Sequence, residues 1–240
     1  MKIIYYTYFF LIAAPLLLLA TVLTTFFTAV GSMLLGDRWW GYYPAHIWAK
    51  IFCWLSLVTV KVNGAEKISH NKNYIFIANH QGAYDIFAIY GYLNHNFRWM
   101  MKKSLERIPL VGYACKKAGH IYVASGNSGV RSTMTEAEAE LNQGKSLCIF
   151  PEGSRTHTGE VGRFKRGAFI LAQEFQLPLV PITIDGAFQV MPRSAKLPRW
   201  GRITLTIHDP LPAPATDATD LGDLMRKSRE TIIKPLTNKI

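Results

Sequence analysis

The hydrophobic pattern begins with an apolar stretch that contains no charged residue from Ile3 to Gly36. About 20 apolar residues are enough to cross a bilayer, so this stretch predicts a membrane-inserted helix. A second apolar stretch, Tyr43 to Val58, is interrupted by His46 and Lys50, which share one helical face. We expect both side chains to extend toward lipid head groups. The pattern therefore predicts residues 1–57 as a membrane-anchoring helical pair, which either spans the bilayer or enters one leaflet.

A cleaved signal peptide is the alternative interpretation of the first stretch. Lys2 precedes it, and the small residues of Ala29–Gly31 resemble a cleavage site. However, the apolar core of a signal peptide is usually about 7–15 residues long, and this stretch is much longer. The length favours a retained anchor.

After the second apolar stretch, short strand-like runs alternate with helical patterns. Val58–Val62 alternates apolar and polar positions and stops at Asn63-Gly64, which indicates a half-exposed strand followed by a turn. Apolar residues recur every three or four positions from Val130 to Leu141, which predicts a helix that ends at Gly144. The other predicted strands are Tyr74–Ala78, Arg98–Met101, His120–Val123, Ser146–Phe150, Leu179–Ile184 and Ile203–His208.

This alternation predicts an α/β domain over residues 58–240, with a mixed, largely parallel central sheet flanked by helices. Another helix is predicted over Ala168–Phe175. The C-terminal segment predicts an amphipathic helix that starts near a capping Asp220 and extends to Leu236. Its apolar face can either pack on the core or touch lipid.

The charge balance indicates an anionic partner. Lys and Arg number 27 against 16 Asp and Glu, which gives the 240 residues a net charge of +11. A membrane surface, a phosphorylated substrate and nucleic acid would all be attracted. Nucleic acid is disfavoured, because the basic residues are scattered in small groups and the chain has no reading helix or RNA-binding aromatic signature.

The cysteines predict neither a disulfide framework nor a metal site. Cys53, Cys115 and Cys148 lie in largely apolar surroundings and have no metal-ligand spacing. No group of Cys, His and Glu residues has the spacing of a zinc site either. We therefore expect reduced thiols, a reducing compartment and no bound metal.

A first polar motif, Asn79–Asp85, directly follows a predicted buried strand. The turn after such a strand lies at the edge of the sheet, where open α/β sheets bind ligands. Because Asp85 lies about one helical turn beyond His80, the two side chains can form an imidazole–carboxylate hydrogen bond. A histidine held in this way is a general base for an alcohol. A surface histidine beside a helix-capping aspartate has the same spacing, so this motif alone is weak.

A second polar motif follows the strand that ends at Phe150. Glu152 and Gly153 form a turn, after which Arg155 offers a bidentate fork to phosphate. The hydroxyl of Ser154 and the freed backbone N–H groups add further donors. The alternative is a polar turn in which Glu152 pairs with Arg155.

Together the two motifs resemble the signatures of the glycerolipid acyltransferases, a His and an Asp separated by four residues and Phe-Pro-Glu-Gly-Thr/Ser-Arg. The stretches Lys102–Leu105, Ile108–Gly112 and Leu179–Ile182 are also similar to this family. The resemblance covers about Val58 to His208, and several motifs in the same order are more specific than one. The chain is most similar to the branch of the family that acylates 1-acylglycerol 3-phosphate, which also carries an N-terminal membrane-inserted helical pair.

The resemblance implies transfer of a fatty acyl group from acyl-CoA or acyl carrier protein to the sn-2 hydroxyl of lysophosphatidic acid, giving phosphatidic acid. It implies no cofactor, and a membrane location with the catalytic domain on the cytoplasmic side of the inner membrane. It assigns His80 as the base and Asp85 as the carboxylate that orients it, and Lys103 is a candidate donor to the oxyanion. The substrate-binding residues that it implies are Lys103, Glu152, Gly153, Ser154 and Arg155.

One departure from the family leaves the acceptor open. The family often carries a polar pair after its middle strand, where this chain has Val123-Ala124-Ser125, with Arg131 a few residues further on. Another lysophospholipid or a lyso-amino-lipid is therefore the alternative acceptor. The sequence also leaves open the acyl-chain length, the donor and the oligomeric state.

Two other classes of protein are less compatible with the sequence. A non-catalytic lipid-binding module with a degenerate site would have lost at least one of four residues, and all four are present: His80, Asp85, Glu152 and Arg155. A membrane hydrolase would need a nucleophile elbow or a metal centre. The chain contains no Gly-x-Ser-x-Gly elbow.

Overall fold

The computed structural model describes residues 2–123, 127–215 and 221–237, with the backbone alone over residues 127–131. Ala124, Ser125, the predicted cap Asp220 and the side chain of Arg131 lie outside the described residues. The helices in chain order are α1 (Lys2–Tyr8), α2 (Ala14–Leu35), α3 (Asp37–Trp40), α4 (Tyr43–Leu55), α5 (Tyr84–Tyr92), α6 (Val111–Lys117), α7 (Asn127–Asn142), α8 (Gly167–Glu174), α9 (Ala187–Val190) and α10 (Gly222–Thr237). The strands are β1 (Val58–Asn63), β2 (Ile75–Ala78), β3 (Phe97–Lys102), β4 (Ile121–Val123), β5 (Ser146–Ile149), β6 (Leu179–Asp185) and β7 (Gly201–Ile207).

The strands form one sheet in the order β1-β7-β6-β2-β5-β3-β4. Only β6 and β7 pair antiparallel among the described strand pairs. All residues of β2 and β5 are buried, as in parallel sheets that are covered on both faces. The predicted fold class is confirmed, and each predicted strand is present within two residues of its expected ends.

Helices cover both faces of the sheet and produce two apolar cores. On one face, α4 and α5 pack against strand residues such as Phe76 and Val180. On the other face, α8 and α10 cover residues such as Ile75 and Leu147. The predicted C-terminal helix packs on this second core, where the hydroxyl of Thr183 donates to the carbonyl oxygen of Ile232 at 2.8 Å.

The predicted apolar anchor is a continuous helix, Lys2–Leu35, in which the π-helical stretch Phe9–Ala13 joins α1 to α2. Within the described part of the chain, it is the one helix long and apolar enough to cross a membrane. Its large side chains are mostly exposed along its whole length, from Ile3 to Leu35. One side of α2 packs against α4, where the indole N–H of Trp48 donates to the hydroxyl of Thr21 at 2.9 Å.

The second predicted anchor helix has one face in the core, while Ile47 and Trp54 are 54% and 73% exposed. Ala49 and Cys53 of α4 are completely buried in the first core. The expectation that His46 extends toward lipid head groups is wrong, because its ring is buried and its Nδ1 lies 2.9 Å from the carbonyl oxygen of Tyr90. Lys50 is exposed, and its ammonium lies 5.9 Å from the ring centre of Tyr92.

A group of charges around the buried Arg98 joins the end of the anchor helix to the sheet. Arg98 of β3 is fully buried and donates to the carbonyl oxygen of Asp37 in α3 at 2.8 Å. Lys145 pairs with the carboxylates of Asp37 and Glu140 at 2.6 and 2.8 Å. These contacts fix where α2 ends relative to the sheet.

His120 is a buried histidine whose hydrogen bonds require its neutral form. Its Nδ1 accepts the backbone N–H of Trp99 at 3.2 Å, and its Nε2 lies 3.1 Å from the hydroxyl of Tyr90. With Nδ1 as an acceptor, the proton lies on Nε2 and is donated to Tyr90, whose own hydroxyl donates to Gly41. Burial, together with the charges of two nearby basic side chains, lowers the pKa of His120 to about 3.

This histidine predicts a loss of stability in mild acid. As the pH falls below about 6.5, the unfolded chain takes up a proton at position 120 and the folded chain does not. The free energy of unfolding should therefore decrease by up to about 1.4 kcal/mol per pH unit from this residue alone. His120→Asn, which keeps an acceptor for the N–H of Trp99, should show a shallower pH dependence in denaturant titrations. Equal slopes for the two proteins between pH 6.5 and 5 would contradict the assignment.

Candidate active site

The predicted His–Asp pair is formed at the edge where β2 ends. The Nδ1 of His80 lies 2.8 Å from the Oδ2 of Asp85, whose side chain is completely buried. The same oxygen accepts the backbone N–H groups of Gln81 and Gly82 at 2.6 and 2.8 Å. Since an ionised carboxylate only accepts, the proton lies on Nδ1 and the Nε2 of His80 is left as the basic nitrogen.

The hydrogen bonds of Asn79 fix the position of this turn relative to the neighbouring strand. Its side-chain amide donates to the carbonyl oxygen of Ile184 in β6 at 2.8 Å and accepts the backbone N–H of the same residue at 2.8 Å. Asn79 is completely buried. The side chain of Asn79 therefore extends the hydrogen bonding between β2 and β6 by one residue. This fixes the position of the backbone at which the turn with His80 begins.

Aromatic stacking restricts the orientation of the imidazole. The ring of Phe150 lies 3.9 Å from that of His80, with an angle of 7° between their planes. Trp99 stacks behind Phe150 at 5.3 Å. In the sequence Phe150 is both the end of a predicted strand and the first residue of the second motif, but neither position indicates that it stacks on His80.

Glu152 links the two polar motifs. One carboxylate oxygen accepts the backbone N–H of His80 at 2.8 Å, and the other accepts that of Gly162 at 2.7 Å. Glu152 and Arg155 are both among the described residues, and the alternative ion pair between them is not formed. Burial raises the pKa of Glu152, and the two N–H donors partly oppose this shift. The glutamate thus positions the backbone of the histidine.

Glu152→Gln should weaken both activity and folding. A glutamine can offer its carbonyl oxygen to one N–H, but its NH₂ group then faces the other N–H, donor against donor. An unsatisfied buried donor costs about 1–3 kcal/mol, which urea titration would measure. Glu160→Gln, at an exposed position in the following loop, is the matched control and should leave stability unchanged. Equal stability of the two variants would show that the bridge through Glu152 is unimportant.

A backbone hydrogen bond places Arg155 of the second motif near His80. The N–H of Thr156 donates to the carbonyl oxygen of His80 at 2.9 Å, so Arg155 is one residue from a direct backbone contact. Its own carbonyl oxygen accepts a guanidinium N–H of Arg193 at 3.4 Å. The structure therefore brings His80, Asp85, Glu152 and Arg155 into one group.

Two further basic side chains lie beside this group. Lys165 follows the second motif just before a helix, where the sequence already favours phosphate, and Arg193 belongs to one of the scattered basic groups. Gly153 has φ +77°, a left-handed conformation that favours glycine, and a Cβ there would lie 2.5 Å from the Nζ of Lys165. Ser154 is exposed beside it. Two cations, Lys165 and Arg193, thus lie beside the second motif.

Lys103 lies apart from the two motifs in the described contacts. It begins a 3₁₀ turn, Lys103–Arg107, directly after β3, and its side chain is exposed. Its ammonium lies 3.4 Å from the carboxylate of Glu106. Its predicted role at the oxyanion stays a prediction.

An apolar cavity of about 220 Å³ adjoins the aromatic stack. Trp99 lines it together with Ile86 and Met101, which connects it to the ring that stacks on the histidine. Helix α2 forms its opposite wall through a stripe of threonines, Thr21, Thr24, Thr25 and Thr28. The cavity thus lies between the apolar anchor and the part of the sheet that carries the aromatic stack.

A family model described as Acyltransferase matches residues 59–185. The sheep protein named 1-acyl-sn-glycerol-3-phosphate acyltransferase alpha is 30% identical over 185 residues, which cover 75% of this chain and 64% of that protein. The yeast (Saccharomyces cerevisiae) protein named 1-acyl-sn-glycerol-3-phosphate acyltransferase is 30% identical over 187 residues, covering 74% and 59%. The chain therefore spans less than two thirds of the length of these relatives.

A solved structure is similar over almost the whole chain. It is the crystal structure of the 1-acyl-sn-glycerophosphate (LPA) acyltransferase PlsC from Thermotoga maritima, with a TM-score of 0.81 and 24% sequence identity. The match covers 98% of this chain and 95% of that one. The two proteins share their fold, including the N-terminal helices.

Proposed function

Because this chain belongs to the acyltransferase family, we propose that it transfers a fatty acyl group from a thioester donor to the sn-2 hydroxyl of 1-acylglycerol 3-phosphate, giving phosphatidic acid. The donor is acyl-CoA or acyl carrier protein, and the reaction uses no cofactor. The observation that carries the proposal is the 2.8 Å contact of His80 with Asp85, joined by Glu152 to the arginine-bearing motif.

In this mechanism His80 is the general base. Its Nε2 takes the proton of the acceptor hydroxyl while that oxygen attacks the thioester carbonyl. Asp85 stabilises the resulting imidazolium. When the tetrahedral intermediate collapses, the carbon–sulfur bond breaks and the leaving thiolate takes the proton from the imidazolium. Attack is direct, so no acyl-enzyme forms.

The cations around the second motif bind the acceptor's phosphate. Arg155 supplies the bidentate fork, with Arg193 and Lys165 near enough to add charge. Backbone N–H groups near His80 stabilise the oxyanion, at about 3 kcal/mol per donor in other acyl-transfer sites, and Lys103 would join them only if its ammonium left Glu106 and reached the imidazole. Phosphate binding thereby positions the sn-2 hydroxyl beside the imidazole.

The exposed apolar helix Lys2–Leu35 holds the protein at a membrane, with the catalytic domain on the cytoplasmic side. Both the acceptor and the product are amphiphiles that reside in the leaflet. The apolar cavity between α2 and the sheet is suited to a hydrocarbon chain, because its lining is almost entirely apolar. Substrates therefore reach the site from the bilayer.

Arg155→Lys should raise the KM for the acceptor with little change in kcat. A lysine keeps the charge but loses the planar fork, and we expect roughly a tenfold increase, equivalent to about 1.4 kcal/mol. Steady-state kinetics with lysophosphatidate measures both constants. Arg163→Lys, at an exposed position of the neighbouring loop, is the control and should change neither. A fall in kcat with an unchanged KM would place Arg155 outside phosphate binding.

The proposed function is tested by a panel of lyso-acceptors crossed with labelled acyl-CoA and acyl carrier protein donors. Labelled phosphatidic acid from lysophosphatidate is the expected product. Product from another lysolipid alone would correct the acceptor. Free fatty acid would indicate a hydrolase, and no turnover with any acceptor would indicate a binding module.

A further inference from the structure

A second apolar surface lies beside the anchor helix. Four large side chains between β3 and the end of α6 are exposed, although they belong to a well-packed segment. The exposed fractions are 36% for Leu105, 43% for Ile108, 62% for Leu110 and 56% for Tyr113. We call these four residues the apolar ridge.

The backbone conformation of the ridge directs the side chain of Leu110 toward the outside. Leu110 has φ +63° and ψ −52°, and the N–H of Val111 donates to the carbonyl oxygen of Pro109 at 2.7 Å. This is a γ-turn of the rare form, which a leucine seldom adopts. Gly112 packs so closely that a Cβ there would lie 2.1 Å from the carbonyl oxygen of Glu106. The turn is therefore fixed by its packing, with its most apolar residue pointing to the outside.

Charge around the ridge is strongly positive. Five basic side chains flank it, and the one acidic residue between them, Glu106, is paired with a lysine at 3.4 Å. All five basic residues are exposed. They are Lys102, Lys103, Arg107, Lys116 and Lys117.

The ridge is continuous with the exposed face of the anchor helix. Helix α6 packs directly on α2, and the two line the same cavity through residues such as Ala114 and Thr25. An apolar surface with a basic rim, next to a helix that is itself apolar and exposed, matches the interfacial region of an anionic bilayer.

We propose that the apolar ridge is a second membrane-docking element, which inserts Leu110 and Tyr113 among lipid chains while its basic rim binds anionic phospholipid head groups. The proposal rests on the membrane location of α2 given above and not on acyl transfer. A second line of contact beside the anchor helix would restrict rotation of the catalytic domain about the axis of α2.

The test places a nitroxide spin label at single sites of the full chain in phosphatidylcholine vesicles, with and without phosphatidylglycerol. A Cys115→Ser background leaves only the buried Cys53 and Cys148. The label is attached at Leu110→Cys and, as a matched control, at Ile170→Cys, which is 39% exposed on α8 at the other face of the sheet. Oxygen partitions into lipid and a nickel chelate stays in water, so relaxation by each reports the label's surroundings.

We expect the label at position 110 to be relaxed mainly by oxygen, and the label at position 170 mainly by the nickel chelate. A label at Leu23→Cys on α2 verifies that the anchor is in the bilayer. Access of the nickel chelate to position 110 equal to that at position 170 would overturn the proposal, while lipid contact at position 23 would still support the anchor. Shielding of position 110 from both reagents would indicate burial against another protein and would also overturn it.

The basic rim is tested in the same assay with Lys116→Glu and Lys117→Glu combined. Each basic residue near an anionic surface is expected to strengthen docking about fivefold. Adding phosphatidylglycerol should therefore increase the oxygen contact at position 110 in the parent protein and not in the double variant. The same increase in both proteins would contradict head-group binding by the rim.

Discussion

His80→Ala is expected to reduce acyl transfer from a thioester donor to lysophosphatidate by about 10²–10⁴-fold, the usual contribution of a positioned general base. The backbone N–H and carbonyl of residue 80 bond to Glu152 and Thr156 and are kept in the variant, so the fold should be retained. Circular dichroism and thermal unfolding would verify this. The measurement is the initial rate of labelled phosphatidic acid formation.

His157→Ala is the matched control, because this histidine is exposed in the loop after the second motif. It should keep the parent rate. Appreciable turnover by His80→Ala, or an equal loss in the control, would show that the imidazole at position 80 is not the base.

Asp85→Asn is expected to lower kcat by on the order of 10²-fold or more while the protein stays folded. Three N–H groups point at the same oxygen of Asp85, so an asparagine should place its carbonyl oxygen there and keep those bonds. The variant therefore removes the negative charge that stabilises the imidazolium and leaves the geometry intact. Steady-state kcat together with the unfolding midpoint measures both parts of the prediction.

Asp85→Ala provides the comparison. It leaves the N–H groups of Gln81 and Gly82 without an acceptor in a buried turn, which should cost stability as well as activity. If Asp85→Asn turned over at the parent rate, the charge of Asp85 would have no catalytic role. If it unfolded like the alanine variant, the proposed orientation of its amide would be wrong.

The sequence was sufficient to predict the sheet and the family. Strands buried on both faces, such as β2 and β5, produce continuous apolar runs that a pattern search detects directly. The hydrogen bond between His80 and Asp85 was also predictable, because its geometry depends on a single strand–turn–helix segment. Local chemistry was enough in both cases.

Contacts between distant segments were not predictable in the same way. His46 lies on a polar position of an amphipathic helix, and nothing in α4 itself indicates that Tyr90 buries it. Glu152 and Arg155 are near in sequence and of opposite charge, but the N–H groups of His80 and Gly162 bind the glutamate instead. Long-range backbone donors have no sequence signature.

The aromatic stack shows the same limit. Phe150 stacks on His80 because β5 lies beside β2, a neighbour relation that is set by the order of strands in the sheet. The sequence shows both residues but does not show that their strands are neighbours in the sheet. The apolar cavity behind Trp99 depends on the packing of α2 against the sheet. The hydrophobic periodicity of the sequence cannot predict it, because its walls come from distant segments.

The central claim is that His80 and Arg155 act on one acceptor, the first on its hydroxyl and the second on its phosphate. The most direct test is the ratio of kcat/KM for 1-acylglycerol 3-phosphate to that for unphosphorylated 1-acylglycerol, measured in the parent protein and in Arg155→Met. We predict a strong preference for the phosphorylated acceptor in the parent protein and its loss in the variant, with slow acylation of 1-acylglycerol unchanged. An equal loss of activity toward both acceptors would contradict the account.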